Sequence, residues 1–179
     1  MDTAILVIDL QNGLFNEEGK PFDFQNVIER INKITSYARK NNLPVIFIQH
    51  EQENGVLQFK SSGWSLVPEL HTEETDLYVR KTTPNSFLRT NLNDLLIKNN
   101  IKRLIVCGYA SEFCVDSTIR GGAELGYSIL IASDAHTTHE KQHASAELIR
   151  NHHNETLSNI SGFGVPIMAV KTEELIKNG

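Results

Sequence analysis

The chain reads as a doubly wound α/β domain, a parallel sheet with helices on both faces, and three observations predict it. Six short runs rich in Ile and Val recur along 179 residues. Amphipathic helical patterns separate most of them. The runs are almost continuously apolar instead of alternating, which marks strands buried on both faces, as in parallel sheets.

The first strand is read in AILVIDL from Ala4, followed by a helix whose stripe is Val27, Ile28, Ile31, Ile34 and Ala38. PVIFIQH from Pro44 and DLYVRK from Asp76 supply the second and third strands, and Leu88, Leu92, Leu95 and Leu96 a second helical stripe. RLIVCGY from Arg103 is the fourth strand, and a helix runs from about Cys114 to Leu125, where Gly126 stops it. SILIASD from Ser128, a helix over about 139–157 and a last strand PIMAVK from Pro166 complete the pattern. Residues 11–25 and 51–75 break the rhythm and are too long to be mere connections, so they are expected to wall a site.

Composition narrows the function. With 40% hydrophobic and 22% charged residues, 1–179 is expected to form a single domain with its own core. A net charge of -5 and no Lys/Arg cluster argue against a nucleic-acid surface. No run approaches the roughly 20 apolar residues of a membrane span, and the N-terminus carries a strand in place of a secretory leader, so no membrane and a cytoplasmic location are expected. Two cysteines, Cys107 and Cys114, are too few for a disulfide scaffold.

Ligands bind an open parallel sheet beyond the carboxyl ends of its strands. That rule selects Asp9, His50, Lys81, the segment from Tyr109 to Cys114, and Asp134. A thiol, carboxylates and a lysine can assemble a nucleophile with its base. Cys114 follows a strand, a glycine and a short turn and opens a helix, where a thiolate would feel the positive end of the dipole. A small buried residue packing the helix start is the plainer alternative, and Cys107, inside RLIVCGY, is assigned to the core on that ground. Asp9 could take the thiol proton and later return it, or could cap a turn; Lys81 could pair with Asp9, or be an ordinary solvated lysine.

These residues sit in motifs that resemble the isochorismatase-like cysteine hydrolase family. VIDLQNGLF carries Asp9, Gln11 and Phe15; VRKTTPNSF carries Lys81 and Phe87; CGYASEFCVDST carries Gly108, Ser111, Cys114, Val115 and Thr118; Asp134 and Ala135 end a later strand. The anchors span residues 4 to about 135 in the family's order. The resemblance implies a Rossmann-like six-stranded parallel sheet, a catalytic triad of Cys114, Asp9 and Lys81, and a homodimer or homotetramer. It also implies a cis peptide at Tyr109–Ala110 that aims the Ala110 N–H, beside that of Cys114, at an oxyanion.

Relatives of the nicotinamidase kind carry a metal-binding Asp-x-His after the second strand, where this chain reads IFIQHEQEN. His50 and His71 alone are thin for zinc, and Asp134, His136, His139 and His143 are read as capping and surface residues, so no metal or other cofactor is expected. Isochorismatases proper cleave a vinyl ether without a cysteine nucleophile. A chain that keeps the cysteine is expected to hydrolyse a C–N bond of a small amide or lactam through a thioester. SGWSLVPEL resembles streptothricin-hydrolase-like members, and Trp64 could stack on a flat substrate or anchor its loop. Phe15, Phe87 and Tyr109 are further wall candidates, with Gln11 beside them. Ether hydrolysis, an idle binding or subunit module and a Cys107–Cys114 redox pair are the competing possibilities.

Overall fold

A computed structural model describes residues 2–15 and 19–177. Residues 16–18, part of the first expected wall, lie outside that description, as do residues 1, 178 and 179. The strands are β1 (Thr3–Ile8), β2 (Val45–His50), β3 (Leu77–Lys81), β4 (Arg103–Tyr109), β5 (Ser128–Thr137) and β6 (Ile167–Val170). They form one parallel sheet in the order β3-β2-β1-β4-β5-β6, the doubly wound arrangement the sequence predicts. The chain winds outward from β1 in one direction and from β4 in the other, so the crevice of the switch point lies between β1 and β4.

Alternation along each strand builds two cores. Ile5 and Val7 face the layer of α1 (Phe24–Lys40) and α5 (Thr172–Lys177), while Ala4, Leu6 and Ile8 face α2 (Leu92–Lys98), α3 (Asp116–Glu124) and α4 (Ala146–Ser158). The stripe of α1 is buried as its spacing demands. No described helix is long and apolar enough to cross a membrane.

Four elements depart from expectation. Leu88 lies in a turn and is half exposed, because the Thr90 hydroxyl and the Asn85 carbonyl take up backbone N–H groups there and the helix begins at Leu92. α4 starts at Ala146, not near 139, because Lys141 and Ala144 bond each other reciprocally and Ser145 Oγ caps the Leu148 N–H. β5 runs past Asp134 to Thr137, following a register shift opposite Val106 and Gly108. α5 is too short to show a period; Asp134 Oδ1 accepts from the Thr172 N–H and hydroxyl at its start.

Both expected walls fold onto each other beyond β1. Asn12 and Gly13 N–H groups donate to Ser65 and Gly63, and the Val67 N–H to Leu10. Gly63 must be glycine, since a Cβ there would meet the Val56 carbonyl oxygen at 2.2 Å.

Candidate active site

Asp9 is the first residue beyond β1, buried, with φ +50, while its N–H still bonds the Ile48 carbonyl at 3.0 Å. A left-handed conformation for a non-glycine residue costs of order 1–3 kcal/mol and is held only where the surroundings over-determine it. Its effect is to turn the carboxylate into the crevice. Lys81 ends β3 two strands away, and its side chain, none of it exposed, reaches back under the strand ends. Lys81 Nζ lies 2.6 Å from Asp9 Oδ2 and 3.2 Å from Cys114 Sγ. A third contact was not anticipated: His50 Nδ1 is 3.2 Å from the same nitrogen. His50 and Lys81 are directly paired in the β2–β3 register, so a signal existed in two runs ending at one level.

Cys114 does not open a regular helix. It sits in a π-helical turn, Ser111–Val115, from which α3 continues, and the Tyr109–Ala110 peptide before it is cis. Such turns concentrate at functional sites. The thiol is half-buried, and burial together with the Asp9 charge pushes it up to about 12, against the opposing pull of Lys81. Burial and Asp9 thus favour the protonated thiol, opposite in direction to the helix dipole considered from the sequence. Asp9 Oδ1 is buried with no hydrogen-bond partner among the described residues, and the Asp9 carboxylate and the sulfur come within 4.8 Å. The Asp9 carboxylate thus lies within reach of the thiol as a proton acceptor.

Asp9, His50 and Cys114 would converge as ligands on one point. Lys81 Nζ, within 3.2 Å of all three, fills that point with an ammonium, so the donor set suits a lysine and not a metal ion. His71 is exposed, with its backbone tied to Asn32 and Arg39 of α1. The four residues from Asp134 to His143 diverge: Asp134 holds α5, His139 bonds Tyr109 and the Gly19 carbonyl, and His143 is exposed. His136 is buried, not a surface residue.

His136 links three elements. Its Nε2 lies 2.9 Å from Asn154 Oδ1 and its Nδ1 2.8 Å from Ser111 Oγ. Asn154 Nδ2 donates to the Ser133 carbonyl, which turns Oδ1 toward the ring and places the imidazole hydrogen on Nε2. Ser111 therefore donates to Nδ1, and the turn carrying Cys114 is tied to β5 and α4. Nothing in the sequence spacing pointed to this link.

The expected walls fare unevenly. Gln11 is fully buried, its amide donating to the His50 and Trp64 carbonyls at 2.9 and 2.8 Å and accepting from the His50 N–H at 2.8 Å. It joins β2 to the loop and has no donor left for a substrate. Phe87 points away, stacking on Tyr127 at the amino end of β5 and packing near Gly122, because that slot beside a helical glycine accepts a ring. Phe15 packs edge-on against Phe24 and Tyr109, at 5.2 and 5.1 Å. Trp64 meets Phe59 edge-on at 5.0 Å, which anchors its loop, and also lines a cleft of about 1170 Å³ along β3 whose lining includes Lys81 but not Asp9, His50 or Cys114. Its indole nitrogen is buried and has no hydrogen-bond partner among the described residues.

Cys107 is wholly buried beside α1, its thiol 3.4 Å from the Leu6 carbonyl oxygen, whereas Cys114 packs on the opposite face of the sheet. Both are free thiols separated by the strand layer, which opposes a disulfide.

Comparisons with known proteins bear on the family and the fold. Residues 3–160 match the model of the isochorismatase domain. A streptothricin hydrolase of Streptomyces noursei is 30% identical over 76% of this chain and 50% of its own length. The ureidoacrylate amidohydrolase RutB of Stutzerimonas stutzeri (strain A1501) is 28% identical over 78% of this chain and 70% of its own. A crystal structure of an isochorismatase family protein superposes with a TM-score of 0.86 at 34% identity, covering 95% of this chain and 98% of that one. From the family match, the shared fold and the residues gathered where β1 and β4 part, the chain belongs to the isochorismatase family of hydrolases.

Proposed function

We propose that the protein hydrolyses a C–N bond, amide or lactam, of a small non-peptide substrate through a thioester on Cys114. One observation carries this: Lys81 Nζ bridges Asp9 Oδ2 and Cys114 Sγ, with the Asp9 carboxylate within 4.8 Å of the sulfur. A strong base is not needed in the resting state, since the proton leaves as the sulfur attacks. Asp9 accepts it, the sulfur–carbon bond forms, and the carbonyl π pair moves onto oxygen, where the N–H groups of Ala110 and Cys114 receive it. Collapse expels the amine with the proton returned by Asp9. Water, deprotonated by Asp9, then attacks the thioester and releases the acid and the thiol. Lys81 offsets the negative charge on Asp9 and sulfur in turn.

The amidohydrolase among the relatives supports the choice of a C–N bond, and a nucleophilic sulfur suits a carbonyl better than an ether carbon. The test is a panel of small amides, lactams and ureido acids, with acid quenching and intact mass measurement. The expected result is turnover with an acyl adduct on Cys114, and in Cys114→Ala a loss of adduct and a rate at least about 10³-fold lower. A Cys114→Ala enzyme at the parent rate would overturn the covalent route.

A further inference from the structure

We infer that His50 is a positioning residue for this site: its Nδ1 is the third acceptor of the Lys81 ammonium and holds that charge against the Cys114 sulfur. An ammonium carries three N–H donors and no acceptor. At Lys81 three partners meet them, Asp9 Oδ2 at 2.6 Å, Cys114 Sγ at 3.2 Å and His50 Nδ1 at 3.2 Å. A lysine can only donate, so Nδ1 must accept and the imidazole hydrogen resides on Nε2. That requires a neutral ring, and burial and the Lys81 charge both lower the His50 pKa, against the opposing pull of Asp9 and Glu51.

The backbone makes His50 a fixed post. It pairs with Lys81 across the β2–β3 register, and its N–H and carbonyl are both held by the buried Gln11 amide. The groups facing its ring are Lys81, Asp9, Cys114 and Glu51. Without the imidazole, one Lys81 N–H loses its acceptor on the protein. The side chain then turns toward another acceptor, and its field at the sulfur weakens.

The inference rests on the proposed role of Cys114 but is tested on the thiol itself, with no substrate, so its failure is separate from that of amide hydrolysis. The rate of iodoacetamide labelling of Cys114, resolved from Cys107 by peptide mass, is measured from pH 7 to 9 in the parent, His50→Leu and His50→Gln proteins. Thermal unfolding confirms that each is folded. Labelling is expected to slow about tenfold in His50→Leu at every pH, one unit's displacement of the thiol equilibrium. His50→Gln, whose amide oxygen can accept from Lys81, is expected to return to within about threefold of the parent. A merely structural histidine predicts the reverse, since loosening the site exposes the thiol and speeds labelling. Faster or unchanged labelling in His50→Leu, or a glutamine variant no better than leucine, overturns the inference.

Discussion

Lys81 shows what one side chain does when water is excluded from it. An ion pair on the surface stabilises by less than about 1 kcal/mol, but removing one partner of a buried pair leaves an uncompensated charge and costs about 3–5 kcal/mol. Lys81→Met is therefore expected to lose roughly that much stability in urea, together with at least about 10²-fold in kcat/KM. Adding Asp9→Asn should restore part of the stability and none of the activity. A double variant no more stable than Lys81→Met would mean that the two side chains do not interact across the crevice. Asp9, His50 and Lys81 were legible because each ends an apolar run, Cys114 because it lies in the turn just after one, and a parallel sheet brings its strand ends to one level. Gln11 and Phe87 were not. Each sits in a motif next to a site residue, but which way a side chain turns depends on which neighbouring slot is vacant, and no spacing records that.

At the scale of elements, the approach of β1 to β4 decides where the nucleophile turn can lie. Gly108 has φ +119 and faces Ile8, where a Cβ would come within 2.2 Å of the Ile8 carbonyl oxygen. Gly108→Ala is expected to cost about 2–4 kcal/mol from strain and overpacking in denaturant unfolding. Because Gly108 leads into the turn carrying Cys114, thiol labelling measured well below the melting temperature should also change. Retention of both parent stability and parent labelling would show that the strands separate freely. The helix with the strongest stripe, α1, was readable from its period. The start of α4 was not, since the His-rich stretch before it also fits helical spacing, and only the reciprocal Lys141–Ala144 bonds and the Ser145 cap set the boundary.

At the scale of the whole molecule, His136 couples distant parts of the chain to pH. Burial first, with a smaller contribution from Arg150, lowers its pKa to about 4 against the raising effect of Asn154. The unfolded chain therefore takes up this proton near the ordinary value of about 6.5, while the folded protein resists it to about 4. Its stabilising effect is present above about pH 6.5 and is lost as pH falls from there to about 4, on the order of 3 kcal/mol in all. Urea midpoints between pH 7 and 4.5 should show this fall, and His136→Gln should flatten it even while lowering stability overall. Equal slopes in the two proteins would remove His136 as the source.

By itself the sequence determined the α/β class, the strands and their parallel character, the family likeness and the ranks of Asp9, Lys81 and Cys114 as site candidates. These follow from local period and from residue types at strand ends. Tertiary structure alone decided that burial and Asp9 push the Cys114 thiol up, that His50 completes the lysine's partners, and that Ser111, His136 and Asn154 tie the nucleophile turn in place. The physical reason is that burial, field and hydrogen-bond direction depend on groups from strands and loops far apart in the chain, and they exist only once those groups are packed together.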